Sequence, residues 1–216
     1  MKTNEHGRII ASQAKAILQP QGFQRKGQSR IWIADRGFWL SVVEFQPSAW
    51  AKGSYLNVAV HWLWGQPPHV LSFDRVERID SFIEFESAEQ FLPLAARMVA
   101  EAAETAKKDW ATFASMADTS AILVEAETSR AIYRGGWTAY HAGVAAGLAS
   151  DYVAAQSMLE SVQEPRALVV AKRLLETVND PVIFRNQITQ LIETERSHFR
   201  LPALATPTDW FTPVVR

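Results

Sequence analysis

The chain reads as an α+β protein, with a small antiparallel sheet of three to five strands packed on helices and then a helical C-terminal half. Three observations predict this. A two-residue period of apolar side chains runs through Arg30–Trp64. Short turn signals separate its segments, as hairpin-connected strands require. From Ser87 onward the period changes to that of helices.

Each element follows from its residues. Asn4–Leu18 is a helix, with Ile9, Ile10, Ala14, Ile17 and Leu18 on one face, Thr3 or Asn4 as cap, and Pro20 and Gly22 as stop. Arg30–Asp35 alternates, Ile31 and Ile33 against Trp32 and Ala34. Asp35-Arg36-Gly37 is a hairpin turn. Phe38–Gln46 follows as a strand rich in β-branched and aromatic residues. Ser54–Trp64 is the clearest strand: Leu56, Val58, Val60, Trp62 and Trp64 point one way, and Tyr55, Asn57, Ala59, His61 and Leu63 the other. Val70–Phe85 fits either one more strand, around Val76–Phe85, or a short helix.

Ser87 to Gln90 has capping-box spacing. The helix it opens runs to about Ser115 with a stripe of Phe91, Leu94, Met98, Ala102, Ala106, Trp110 and Phe113, and Pro93 is absorbed early. Further helices are predicted from Asp118 or Thr119 to Arg130, over Trp137–Gly147, Asp151–Val162 and Pro165–Val178, and from Pro181 to about Arg200. Asp180-Pro181 supplies a cap and a first-turn proline. The small residues Gly143, Ala146, Gly147, Ala154 and Ala155 let two helices approach closely. With Trp137, Tyr140 and Tyr152 they resemble one tetratricopeptide-type pair, and one unit makes no solenoid. The division expected is an α+β domain over 1–116, a helical extension over 117–201 and an extended tail over 202–216, in which Trp210 and Phe211 pin the tail.

A resemblance adds to this reading. Gly22-Phe23, Arg25-Lys26-Gly27, Gln46 at a strand end, Trp50 in the next loop and Asn57-Val58 together resemble the domain-of-unknown-function 4304 family. The likeness covers roughly 9–113. It implies an α+β domain and carries over no catalytic residue.

Composition removes several function classes. Among 216 residues, 48% are apolar and the formal net charge is −1, which gives no whole-chain signal for nucleic acid or membrane. The absence of cysteine excludes disulfides, thiol catalysis and Cys-based zinc sites. A polar N-terminus without a signal-peptide core, and no long apolar run, make the cytoplasm the expected location and a membrane partner unexpected. Locally, Met1–Arg36 carries seven Lys/Arg against two acids, and Asp74–Thr128 twelve acids against five bases. The two regions either attract each other or are solvated.

No catalytic signature stands out. His6, His61, His69, His141 and His198 form no metal-binding spacing, so neither a metal nor a cofactor is expected. Nucleophile elbows, Walker loops and dinucleotide fingerprints are missing. The expected function is a non-catalytic binding module for a protein or small ligand on an aromatic-polar sheet face. Its candidate residues are Trp39, Glu44, Gln46, Trp50, Asn57 and His61, since rings supply area and amides fix orientation. Which parity of Phe38–Gln46 joins Asn57 is open. One alternative is a hydrolase or transferase with an acid–base pair from Glu44 and His61. Another is single-stranded nucleic-acid binding through Arg25, Lys26 and Arg30 beside Trp32 and Trp39, which the downstream acids weigh against. Oligomeric state is not legible.

Overall fold

A computed structural model describes residues 5–65, 69–79 and 81–204. The protein is α+β: six strands precede most of the helices, and seven helices are present among the described residues.

Helix α1 (Glu5–Ile17) buries His6, Ile10 and Ala14. A 3-10 turn over Gln19–Gln21 carries Pro20 in its first positions and ends at Gly22, whose φ of +89° suits glycine. Strands β1 (Gln24–Arg25), β2 (Ile31–Asp35), β3 (Trp39–Gln46), β4 (Gly53–Trp62) and β5 (Arg75–Arg78) lie in that order, and β6 (Ile83–Glu84) pairs with β4. The turn between β2 and β3 closes as its residues require. The Gly37 N–H donates to Asp35 Oδ1 at 2.9 Å, and the Arg36 N–H to the Trp39 carbonyl at 3.0 Å.

Two strand expectations need correction. The 54–64 strand ends at Trp62, because the chain turns at Leu63–Trp64 and the Gly65 N–H donates back to the Trp62 carbonyl. The described residues of the ambiguous 70–85 stretch hold two short strands and no helix. All four residues of β5 are exposed, so the stretch carries no alternation to read.

Helix α2 (Ala88–Thr112) starts where the capping box places it, with the Gln90 N–H donating to Ser87 Oγ at 3.2 Å. Helix α3 (Met116–Thr128) begins earlier than expected. Ser115, not Asp118 or Thr119, is its cap and accepts from the Asp118 N–H at 3.1 Å. Helices α4 (Trp137–Leu148), α5 (Tyr152–Glu160), α6 (Pro165–Leu175) and α7 (Pro181–His198) follow among the described residues. Asp180 caps α7 by accepting from both the Val182 and Ile183 N–H groups. Trp210 and Phe211 lie outside the described residues.

The chain forms two compact units: residues 1–61 with 75–111, and 62–74 with 112–216. The helical unit thus also takes the excursion 62–74, which a linear division at 116/117 does not anticipate. In the sheet unit, Trp32, Ala34, Val43, Phe45, Leu56 and Val58 meet Ile10 and Ala14 of α1 and Phe91, Met98 and Ala102 of α2 in one core. In the helical unit, a Cβ on Gly143 would come within 2.7 Å of Leu159 Cγ, so the small residue sets the approach of α4 and α5. No helix among the described residues is long and apolar enough to cross a membrane.

Candidate functional site

Hydrogen bonds between β3 and β4 settle which residues share Asn57's face. Ile31 pairs with Glu44 and Ile33 with Val42, and Asn57 Nδ2 donates to Glu44 Oε2 at 2.8 Å and to Gln46 Oε1 at 3.1 Å. Glu44, Gln46 and Asn57 are therefore brought together as a side-chain network. Arg78 completes it. Pairing of β4 with β5 sets Arg78 opposite Asn57. Its guanidinium donates to Asn57 Oδ1 at 3.1 Å and to Gln46 Oε1 at 2.6 Å, and lies 4.5 Å from the Tyr55 ring centroid. Arg78 went unrecognised because its strand has no period to mark it.

Other expected site residues are placed elsewhere. Trp39 shares a parity with Val43 and Phe45, the face that meets the helices, and is 1% exposed. That overturns its role as an open ligand contact: in a sheet with a helix layer on one face, a large ring of that parity becomes core. His61 keeps Asn57's face but is 2% exposed, and Asn57 itself is 5% exposed, so neither offers an open surface. Glu44 is engaged by Asn57, while His61 lies four residues further along β4, about 13 Å at strand rise. An acid–base pair from these two would need direct or one-water contact, and the strand spacing keeps them apart.

The basic residues also separate. Arg25 spends its guanidinium on its own turn, donating to the Ser29 and Gln28 carbonyls at 2.7 and 3.0 Å. The Lys26 N–H joins the Ile31 carbonyl. Arg30 Nη2 meets His6 Nε2 at 3.3 Å. Trp50, in the loop between β3 and β4, is 97% exposed.

The helical unit contains a cleft of about 460 Å³, its apolar wall made by Val170, Leu174 and Leu191 and its polar groups supplied by Arg173, Gln190 and Glu195. Its most telling group is Glu195, a carboxylate only 2% exposed. The backbone N–H of His69 donates to both Glu195 oxygens, at 2.9 and 3.1 Å, and His69 Nδ1 lies 3.3 Å from Oε1. His69 has a φ of +69°, an uncommon conformation for a residue with a Cβ, and its bonds to Glu195 hold it there. Neither hydroxyl on the cleft is free to act as a nucleophile. Thr194 Oγ1 donates to the Gln190 carbonyl at 2.7 Å and the Tyr140 hydroxyl to the Trp64 carbonyl at 3.1 Å. Burial also pushes the Tyr140 hydroxyl pKa well above its ordinary value.

Sequence reasoning missed this cleft, but a signal was present. Phe184, Ile188 and Ile192 form the buried stripe of α7, and Glu195 takes the next position of that stripe. A carboxylate on an apolar stripe needs a partner or a purpose.

The same unit holds a buried Asp–His arrangement that resembles catalytic geometry. Trp64 Nε1–H donates to His141 Nδ1 at 3.2 Å. Indole only donates, so the imidazole carries its proton on Nε2, which faces Asp74 Oδ1 at 3.5 Å. Asp74 Oδ2 accepts the Trp62 N–H at 2.7 Å, and the Trp62 and Trp64 rings stack at 5.1 Å. Where a catalytic triad has its nucleophile, this chain has an indole. The network satisfies buried polar groups and orients two tryptophans.

Comparison with protein-family models, with curated proteins and with solved structures finds no match in any of the three. The likeness to the domain-of-unknown-function 4304 family rests on its quoted residues alone.

Proposed function

We propose that the protein is a non-catalytic binding module, acting in the cytoplasm, that takes a small ligand with an apolar body and an amine head into the cleft of the helical unit. The buried Glu195 carboxylate on the cleft wall carries the reading. A carboxylate taken out of water is costly unless it meets donors or a cation. Among the described residues its partners are one backbone N–H and one imidazole, which leave acceptor capacity on its two oxygens. An ammonium fits that capacity, and Val170, Leu174 and Leu191 fit the apolar remainder. Binding rather than turnover is favoured because the hydroxyls at the cleft are both donated to backbone carbonyls.

Isothermal titration with hexylamine tests this, with hexanoate and hexanol as controls. Hexylamine is expected to bind, the controls to bind far less, and Glu195→Gln to lose the preference while keeping its fold by circular dichroism. Equal binding of all three probes, or an unchanged preference in Glu195→Gln, refutes the reading.

A second reading retains the sheet face for a protein partner. It is favoured by the exposed Arg78 guanidinium resting on Tyr55, since aromatic and arginine side chains anchor many interfaces. Immobilised protein is then expected to retain a partner that Arg78→Ala releases. Equal retention by both forms excludes this face.

A further inference from the structure

The loop between β3 and β4 and the start of α1 border an open concavity of about 350 Å³ in the sheet unit. Its wall is made by His6, Arg30, Lys52, Trp50 and the small residues around Ser48. This site does not depend on the reading of the helical cleft. Its charge is one-sided: among the described residues two cations and an imidazole line it, and no carboxylate does.

The Arg30 guanidinium is half-buried yet has no anionic partner among the described residues. Nη2 donates to His6 Nε2, and Nη1 is buried without a hydrogen-bond partner. Accepting that bond fixes His6 as the neutral imidazole with its proton on Nδ1. Its ring packs against both Phe85 and Phe91, with centroids 5.6 and 6.3 Å away. Burial first, and then the charges of Arg30 and Lys52, hold the His6 pKa below the ordinary imidazole value. A guanidinium and an ammonium converging on one concavity create the kind of field that recruits an oxyanion.

The second observation is Trp50. Its indole is 97% exposed, although its backbone is pinned by its N–H donating to Ser48 Oγ at 3.0 Å. The loop therefore displays the ring beside the cationic wall and does not fold it into the core. An exposed indole next to cations offers a stacking platform for a flat ring bearing negative charge.

We propose that this pocket binds an oxyanion carried on a flat ring, of the aryl phosphate or nucleotide-like phosphate monoester class. Arg30 and Lys52 hold the oxyanion, His6 orients the guanidinium, and Trp50 stacks on the ring.

The intact chain is tested by following the His6 ring by NMR while adding sodium sulfate, against sodium chloride at matched ionic strength. Sulfate keeps its charge across the imidazole range, so its own titration does not interfere. It is expected to raise the His6 pKa more than chloride does. In parallel, phenyl phosphate is expected to bind about five-fold or more tightly than inorganic phosphate, as ring stacking predicts. Trp50→Ala should abolish that advantage, and Lys52→Gln, at an exposed position that leaves the fold intact, should weaken both ligands. Sulfate acting no differently from chloride overturns the proposal, as do equal affinities for the two phosphates in the unmodified protein. A ten-nucleotide single strand that binds hundreds of times more tightly than phenyl phosphate overturns it in favour of a nucleic-acid surface.

Discussion

Replacing Gly147 with alanine tests the packing of the helical unit, because local propensity and tertiary packing predict opposite signs. Alanine in a helix interior is ordinarily worth about 1 kcal/mol over glycine. At this position a Cβ would fall 2.3 Å from Phe184 Cε1 and 2.6 Å from Cζ. Ordinary contacts begin near 3.4 Å, so the ring must retreat by about 1 Å. Phe184 is fully buried and has no solvent side to move into. Overpacking of this kind costs up to about 3 kcal/mol. Against the propensity gain, the net loss is about 2 kcal/mol. For a chain of 216 residues that lowers the melting temperature by roughly 4–8 °C. Circular dichroism and urea unfolding of Gly147→Ala measure it. Adding Phe184→Leu should recover part of the loss, so the double variant is more stable than the sum of the single effects predicts. A rise in melting temperature on Gly147→Ala, or additivity within about 0.5 kcal/mol, refutes the reasoning.

Further predictions concern the cap of α7, the edge strand and His6. Asp180→Ala removes an acceptor shared by the Val182 and Ile183 N–H groups and should cost about 1 kcal/mol by urea unfolding, whereas Asp180→Asn should cost much less. Burial raises the Asp109 carboxyl pKa, and its ion pair with Arg75 opposes that shift. Arg75→Met should therefore raise the Asp109 pKa further by NMR and destabilise the protein by about 1–2 kcal/mol at neutral pH. His6 has a folded pKa below its unfolded value, so below the ordinary imidazole value the unfolded chain binds the extra proton first. Its contribution to stability is present at higher pH and is lost as pH falls through the folded pKa. The melting temperature of His6→Gln, measured across pH 5.5–7.5, should vary less than that of the unmodified protein.

The elements most legible in the sequence are those whose burial differs between two faces. Leu56 and Val58 of β4 read clearly because one parity enters the core beneath α1 and α2. Ser87 and Gln90 marked the start of α2 through a purely local bond. The partner parity of β3 was not legible, since Trp39, Val43 and Phe45 and the alternating Leu40 and Val42 are all apolar and all buried. Only cross-strand pairing, a non-local property, decides it. Strand β5 gave no signal because both its faces are exposed. Glu44, Gln46 and Asn57 are all candidates in the sequence, which leaves their parity open, and hydrogen bonds between β3 and β4 group them. Arg78 arrives from 21 residues further on and could not be placed. The cleft at Glu195 depends on a contact across 126 residues of chain, and its one local trace is a carboxylate on an apolar stripe.

The central claim is that ligand capture belongs to the buried carboxylate of the helical unit and not to the sheet face. Backbone amide shifts recorded while hexylamine is added test it most directly. The account predicts saturable shifts at His69, Thr194 and Glu195, with Asn57 and Arg78 unmoved. Shifts confined to Asn57, Arg78 and Tyr55, or none at saturating amine, would contradict it.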